Sequence, residues 1–221
     1  MMKSTSTGAA APSPDHAGEI LAVLKRVYPR APKTALEHRT PLEMLVATIL
    51  SAQCTDARVN VVTRELFRKY RTAEDYANAR QEDLEKDIRS TGFYRNKAKN
   101  IRGAAGRIVE EYGGEVPDTM DDLLTLPGVA RKTANIVLFA AFDRVEGIAV
   151  DTHVKRLSYR MGLTGNTDPV KIERDLMDAY PRGDWSSVNR VFVEHGRAVC
   201  RARKPRCDEC QVKHICPRNG L

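Results

Sequence analysis

Four of the five cysteines lie in a short C-terminal segment, with a spacing that allows them to bind one common ligand. Cys200, Cys207, Cys210 and Cys216 are separated by six, two and five residues, and Cys54 is the only cysteine before them. Four thiolates hold either an iron–sulfur cluster or a tetrahedral zinc ion. Zinc sites usually show two short-spaced pairs far apart, so the single C-x2-C pair favours a [4Fe–4S] cluster. Zinc, and disulfides or unliganded thiols, are the alternatives.

A second segment combines a tight turn with the start of a helix. Residues 126–134 are LPGVARKTA. Pro127 restricts φ, and Gly128 permits a close backbone approach that a side chain would block. A helix starting at Arg131 would direct free N–H groups and the positive end of its dipole outward. Such a turn suits a DNA phosphate without reading base sequence, although it is alternatively only a connection between helices.

Basic residues are concentrated in two blocks. The chain of 221 residues has a net charge of +7 and a pI near 9.2, which favours a polyanionic partner. Residues 88–109 hold six basic residues and no acid, and residues 195–221 hold seven basic residues against two acids. Either block alone is as well explained by a solvated surface, but together they favour nucleic acid. The blocks contain Arg89, Arg95, Lys97, Lys99, Arg102 and Arg107, and Arg197, Arg201, Arg203, Lys204, Arg206, Lys213 and Arg218.

Hydropathy argues against a membrane protein. The longest apolar run, residues 136–142, is seven residues long and cannot span a bilayer. Residues 1–17 lack an apolar core and are interpreted as a disordered tail, not as a signal peptide. We therefore expect a monomer in the reducing cytoplasm, associated with the nucleoid through DNA and without a membrane partner.

The elements that must position these residues are helices. Apolar residues recur at helical spacing, and Thr40-Pro41-Leu42-Glu43 has the form of a capping box, so we predict an all-α fold. A central helical domain over 33–145 and a second lobe from 18–32 and 146–221 would leave a DNA-binding groove between them. The predicted helices cover residues 18–28, 41–52, 57–69, 72–78, 81–90, 95–112, 119–125, 131–142, 152–161, 168–180 and 185–199.

Four motifs together resemble the endonuclease III family of DNA glycosylases. They are LPGVARKTAN at 126–135, VDTHV at 150–154, SAQCTD at 51–56 and the cysteine spacing, and the resemblance covers residues 18–218. One departure is Ala130, which stands where the family's hairpin usually has a second glycine. The methyl group should be tolerated if φ at Ala130 is negative.

The resemblance implies a bifunctional DNA glycosylase and abasic-site lyase that removes oxidised pyrimidines from duplex DNA. Lys132 would be the nucleophile and Asp151 the catalytic carboxylate. Because an ordinary lysine is almost wholly protonated at neutral pH, we expect a closed pocket and Arg131 to favour the neutral amine. Taken alone, Lys132 is better explained as a phosphate ligand and Asp151 as a helix N-cap. The alternatives are a monofunctional mismatch-type glycosylase and a non-catalytic hairpin module. The presence of Lys132 argues against the first alternative. The presence of both Lys132 and Asp151 argues against the second.

The resemblance also implies residues that handle the extruded nucleotide. Gln53 would occupy the vacated stack and Phe93 would be a wedge between bases, unless Phe93 is a core residue. His153 lines the pocket or bonds to backbone, whereas Cys54 is expected to be buried. The predicted DNA contacts are Gln53, Phe93, Gly128, Ala130, Arg131, His153, Arg203 and Lys204.

Overall fold

The computed structural model describes residues 14–221, and this part of the chain contains α-helices and no β-strand. The all-α prediction is thus confirmed, with eleven α-helices and three short 3₁₀ turns in the described residues. The helices are α1 (Pro14–Val27), α2 (Pro41–Leu50), α3 (Asp56–Lys69), α4 (Ala73–Asn78), α5 (Gln81–Asp87), α6 (Tyr94–Tyr112), α7 (Met120–Thr125), α8 (Arg131–Phe142), α9 (Thr152–Arg160), α10 (Pro169–Ala179) and α11 (Trp185–Ala198).

Several helices begin where a polar side chain satisfies a free backbone N–H group. Before α2, the Thr40 hydroxyl accepts the N–H of Glu43 at 3.2 Å. Such a cap stabilises a helix by about 1 kcal/mol. The Glu43 carboxylate accepts the N–H of Arg39 at 2.6 Å, so the reciprocal half of the predicted capping box does not form at Thr40.

The N-terminal helix starts earlier than predicted. α1 begins at Pro14, and Ala17, Ile20 and Leu24 along it have no exposed surface. The predicted tail over residues 1–17 is therefore wrong for residues 14–17, because their helix is stabilised by burying one apolar face. Residues 1–13 lie outside the described residues.

The central unit, Lys33–Glu146, holds α2 to α8 around its own apolar core. Residues Met44 to Leu50 of α2 are all buried, which explains why this helix has almost no polar face. Within the unit, α2 packs against α8 and α6 packs against α4. This packing supports the turn between α7 and α8 and the N-terminal end of α6.

The terminal unit consists of the described residues up to Pro32 together with Gly147–Leu221. Its core includes Leu24 of α1, Leu157 of α9, Phe192 of α11 and the isolated Val212 near the C terminus. In this unit α11 packs against α1 and α9. In neither unit does a helix of the described chain have the length and apolarity needed to cross a membrane.

Candidate functional site

The hairpin, residues 126–132, is a turn held by buried residues on both sides of its glycine. Leu126 and Val129 are buried, and the Val129 N–H donates to the Leu126 carbonyl at 3.1 Å. Gly128 has φ of 80°, and a Cβ there would lie 2.8 Å from the Asn100 side chain. Both the backbone conformation and the lack of space therefore require glycine at this position.

Ala130 closes the hairpin and precedes the first turn of α8. Its φ of −101° is ordinary extended backbone, so the methyl group is tolerated, as expected for a negative φ. Because alanine has no capping atom, α8 begins without a side-chain cap. The backbone N–H groups of its first turn and its helix dipole can thus contribute to binding an anion.

Lys132 lies in this first turn and its side chain is exposed. The neighbouring Arg131 is half-buried. The side chain of Lys132 is not enclosed by the described residues, so the closed pocket expected from the sequence is absent around it. Its ammonium group therefore remains hydrated. Desolvation of this amine requires a further group to cover it, such as a bound substrate.

Asp151 lies at the N-cap of α9 in the terminal unit, half-buried. Its Oδ1 accepts the Val154 N–H at 2.8 Å, so the N-cap role considered from sequence is present. Oδ2 makes no hydrogen bond to the residues that the structure describes. One oxygen therefore anchors the carboxylate while the other remains available.

His153 packs between α9 and α11. Its Nδ1 lies 3.1 Å from Nη2 of Arg156, and a Cβ on Gly196 would come within 2.6 Å of the same nitrogen. The ring is half-buried against these protein groups. A contact between His153 and DNA stays a prediction.

Gln53 and Phe93 both belong to the central unit and both have left-handed backbone conformations. Gln53 has φ of 52° and Phe93 has φ of 47°. Both side chains are exposed, and Phe93 retains 62 % of its surface. The core alternative for Phe93 is therefore wrong, and its exposure is consistent with insertion between bases. Cys54, which follows Gln53, is half-buried against the core.

The first basic block is only partly a surface. Lys97 is 4 % exposed, and its Nζ donates to the carbonyls of Leu50 and Thr91, at 2.8 and 2.7 Å. Arg107 donates to the Thr125 carbonyl at 2.6 Å. The prediction that this whole block binds phosphate is therefore wrong for Lys97, because α6 turns that side chain into the protein.

The cysteine loop, residues 200–216, brings four thiols to one small cavity. Cys200, Cys207, Cys210 and Cys216 all line it, all are half-buried, and none forms a disulfide. Among the described side chains, no three Cys, His, Asp or Glu groups are arranged to hold a single metal ion. A [4Fe–4S] cluster takes its thiolates at four separate irons and does not require them to meet at one point.

Polar groups of the terminal unit contact these thiols and the loop backbone. Nη1 of Arg160 lies 3.5 Å from Sγ of Cys200, and the guanidinium donates to the carbonyls of Arg201 and Ala202 at 2.7 and 3.1 Å. His195 is fully buried, with Nε2 3.4 Å from Sγ of Cys210. Such contacts orient cluster ligands and screen their charge.

Two of the four thiols resist ionisation in the absence of a positive partner. Burial raises the pKa of Cys210 and of Cys216, and repulsion from the neighbouring cysteines raises both further. Burial also lowers the pKa of His195 to about 4, so this imidazole is neutral near pH 7. A bound cationic group would therefore favour the thiolates of Cys210 and Cys216, which fits an iron–sulfur cluster.

Sequence reasoning missed Arg160, although a signal was available. Arg160 follows Leu157 by three residues on α9, and both are buried. A basic residue three or four positions from a buried apolar residue lies on the same face of the helix, where its charge must form hydrogen bonds within the protein.

Arg203 and Lys204 lie in the loop between Cys200 and Cys207, and both are exposed. Lys204 has φ of 51°. Neither forms an ion pair with the described residues. Their charges are therefore available to an anionic partner.

Two sequence families match this chain. Residues 46–182 match the HhH-GPD superfamily base excision DNA repair proteins, and residues 200–216 match the iron–sulfur binding domain of endonuclease III. The second range contains all four clustered cysteines. These matches confirm the predicted [4Fe–4S] cluster.

Individual relatives resemble the chain over most of its length. It is 59 % identical to endonuclease III of Synechocystis sp. over 91 % of both chains, and 49 % identical to that of Bacillus subtilis over 86 % of both. The solved structure of a trapped endonuclease III–DNA covalent intermediate is 44 % identical, with a TM-score of 0.89 over 94 % of this chain and 97 % of that one. A thermostable thymine-DNA glycosylase shares the fold at 22 % identity and a TM-score of 0.82, covering 92 % of this chain and 96 % of that one.

Proposed function

Because this chain belongs to the endonuclease III family of helix–hairpin–helix DNA glycosylases, we propose that Lys132 and Asp151 carry out its reaction on DNA. The protein is a bifunctional DNA glycosylase and abasic-site lyase that removes oxidised pyrimidines from duplex DNA in base excision repair. The observation that carries the assignment is the exposed amine of Lys132, in the first turn of an uncapped helix directly after the hairpin.

The hairpin binds the DNA backbone next to the target nucleotide. The N-terminal end of α8 and the turn at Gly128 accept a phosphate, which positions the strand without reading its sequence. The glycosidic bond cannot be reached inside the base stack, so the damaged nucleotide must rotate out of the duplex. Gln53 and Phe93, both exposed, then occupy the space that the nucleotide leaves.

Lys132 performs the covalent steps. Bound DNA displaces water from its exposed side chain and so favours the neutral amine. Nζ attacks C1′, the bond from C1′ to the base breaks, and the base leaves with its electron pair. The amine proton passes to the ring oxygen O4′ as the C1′–O4′ bond breaks, which opens the sugar ring and yields a protonated Schiff base. Removal of a C2′ proton then expels the 3′ phosphate by β-elimination, and water finally releases the lysine.

Asp151 stabilises the positive charge that develops at C1′ as the base leaves. The Val154 N–H holds one carboxylate oxygen, so the other can face the sugar without first reorganising. A fixed charge of this kind contributes most in a site that excludes water. Asp151 therefore assists base release more than it assists the later elimination.

The four clustered cysteines would hold the [4Fe–4S] cluster, which when bound cross-links four points of the cysteine loop. This cross-link fixes the backbone that carries Arg203 and Lys204, whose charges serve DNA phosphates. We further propose that the protein works as a monomer in the cytoplasm at the nucleoid, where thiols stay reduced.

Borohydride trapping tests the assignment of Lys132. Borohydride reduces a Schiff base and leaves the protein covalently attached to DNA. We expect wild-type protein to form this adduct with an abasic duplex and Lys132→Gln to form none while still binding the duplex. Lys171→Gln is the matched control, because Lys171 is also an exposed lysine in the first turn of a helix. Adduct formation by Lys132→Gln would assign the nucleophile to another amine.

A further inference from the structure

Two exposed loops of the central unit adopt a conformation that is unfavourable for their residues. Gln53 and Phe93 have positive φ, and neither is glycine. A residue with a Cβ stays in the left-handed region only where the surrounding structure fixes it. Something must therefore hold both loops in place.

The buried ammonium of Lys97 contacts the chain just before each of these residues. Nζ donates to the Leu50 carbonyl at 2.8 Å and to the Thr91 carbonyl at 2.7 Å. Leu50 precedes Gln53 by three residues, and Thr91 precedes Phe93 by two. One cation thus links the backbone segments that lead into the two loops.

The position of Lys97 on α6 adds a third link. Phe93 is the N-cap of α6, and the Lys97 N–H donates to the Phe93 carbonyl at 3.1 Å. Backbone and side chain of the same residue therefore restrain the Phe93 loop from both ends.

Packing alone does not explain a lysine here. Lys97 is 4 % exposed, and burial of an ammonium is unfavourable unless its donors are satisfied. Its two acceptors are the last carbonyls of α2 and of the 3₁₀ turn Arg89–Thr91. Such carbonyls lack intrahelical partners and carry the negative end of the helix dipole, so a cation satisfies both at once.

We propose that Lys97 is a positioning residue that holds Gln53 and Phe93 in a fixed mutual arrangement for insertion into DNA. This inference rests on the proposed function, since it requires both residues to enter the duplex. Lys97 itself does not touch DNA. It acts through the Leu50 and Thr91 carbonyls, so that the wedge and the residue that fills the vacated stack enter together.

The arrangement matters only where a paired nucleotide must be extruded. A paired lesion requires the wedge and the filling residue at the same moment, whereas an abasic site in a single strand requires neither. Lys97 therefore affects base extrusion and leaves the chemistry at Lys132 intact.

The test compares Lys97→Met, an apolar side chain of similar length, with wild-type protein on two substrates. A 2-aminopurine beside a thymine glycol in duplex DNA reports unstacking, and borohydride trapping on a single-stranded abasic site reports the chemistry. Since a displacement of about 1 Å can slow a reaction about 100-fold, we expect duplex extrusion to slow by about tenfold or more. Single-strand trapping should change less than about threefold.

Ile108→Ala is the matched control, because Ile108 is a fully buried residue of the same helix, about three turns beyond Lys97. It should lower thermal stability while retaining duplex extrusion. If Lys97→Met does not fold, Lys97→Gln, which keeps an amide donor, is measured in the same way. In a Phe93→Ala background either change at Lys97 should have a much smaller effect, because the wedge is already absent.

Equal losses on both substrates, or losses that add fully to those of Phe93→Ala, would overturn the inference and leave Lys97 a stabilising residue. Wild-type protein that traps normally while Lys97→Met extrudes normally would also refute it, without affecting the proposed function. Absence of trapping by the wild-type protein would instead refute the proposed function.

Discussion

The hairpin and the cysteine loop are assigned the same task of presenting positive charge to DNA, but their backbones are held in different ways. The hairpin lies between α7 and α8 and buries Leu126 and Val129. In the cysteine loop, Val212 is the only buried side chain, and the one regular element is the three-residue turn Cys207–Glu209. Apolar packing holds the first segment, whereas the second depends on bonds to a cofactor and to Arg160.

The two segments should therefore be sensitive to different kinds of substitution. A segment held by packing and a special φ value should respond to steric changes of single atoms. A segment with a single buried side chain should respond to loss of its ligand, because metal binding supplies much of its folding free energy. Substitutions in the two units can test this contrast.

Asp151→Asn should give the largest effect, because it removes the reacting charge from the unit that holds the cysteine loop. We expect base release from a thymine glycol duplex to slow by about 100-fold or more, equivalent to about 2.7 kcal/mol in the barrier. Asparagine still caps α9, so thermal stability should be almost unchanged. Single-turnover base release measures the effect, and cleavage of an abasic duplex should suffer less.

Asp168→Asn is the control for Asp151→Asn, since Asp168 caps α10 through the Val170 and Lys171 N–H groups. It should leave both rates unchanged. Equal slowing of base release and abasic-site cleavage by Asp151→Asn would contradict a role at the departing base.

Cys207→Ser should release the cluster and loosen the cysteine loop. Bound iron and absorbance near ~400 nm should be lost, because a [4Fe–4S] cluster needs all four thiolates. Trypsin should then cleave after the exposed basic residues Arg201 and Arg203. Cys54→Ser, a change at the cysteine outside the loop, should retain iron. Resistance to trypsin after iron loss would show that the loop has sufficient packing of its own.

Gly128→Ala should distort the hairpin through a single methyl group. The added Cβ would lie 2.8 Å from Asn100, at a φ of 80° that alanine disfavours. We expect about 1–2 kcal/mol lower stability and about tenfold weaker binding to abasic duplex, measured by thermal unfolding and fluorescence anisotropy.

Gly106→Ala is the matched control, because Gly106 lies within α6 and a Cβ there meets nothing within 4 Å. It should be neutral or stabilise the protein by up to about 1 kcal/mol. Equal behaviour of the two alanine variants would refute the packing account of the hairpin.

Replacing Arg203 and Lys204 together with Ala should give the smallest effect. If both contact phosphates, the slope of log affinity against log salt for undamaged duplex should flatten by about two units. The exposed pair Arg68 and Arg71, replaced in the same way, should leave the slope unchanged. If the salt slope does not change when Arg203 and Lys204 are replaced, these side chains do not contact DNA phosphates.

Local features of the fold were predictable where neighbouring residues decide them. The structure contains the elements predicted from the capping residue Thr40, from Gly128 and from the helical spacing of apolar residues. Helix α8 has its predicted bounds of 131–142. Predictions failed where distant contacts decide the outcome. The helix at residues 14–17 is stabilised by burial of Ala17, which the composition of the tail does not reveal.

The order of residues along the chain already shows which chemistry is available: four thiols at cluster spacing, a lysine after a Pro-Gly turn, and an aspartate that caps a helix. These follow from residue type and from order along the chain. Whether a basic side chain faces solvent depends, in contrast, on how distant segments pack together. Lys97 and Lys99 stand two residues apart on α6, yet Lys97 is buried and Lys99 is exposed. The helical spacing of Ile101 and Ile108 places Lys97 on the buried face of α6, but that two carbonyls from separate loops meet there to accept its ammonium depends on distant parts of the chain.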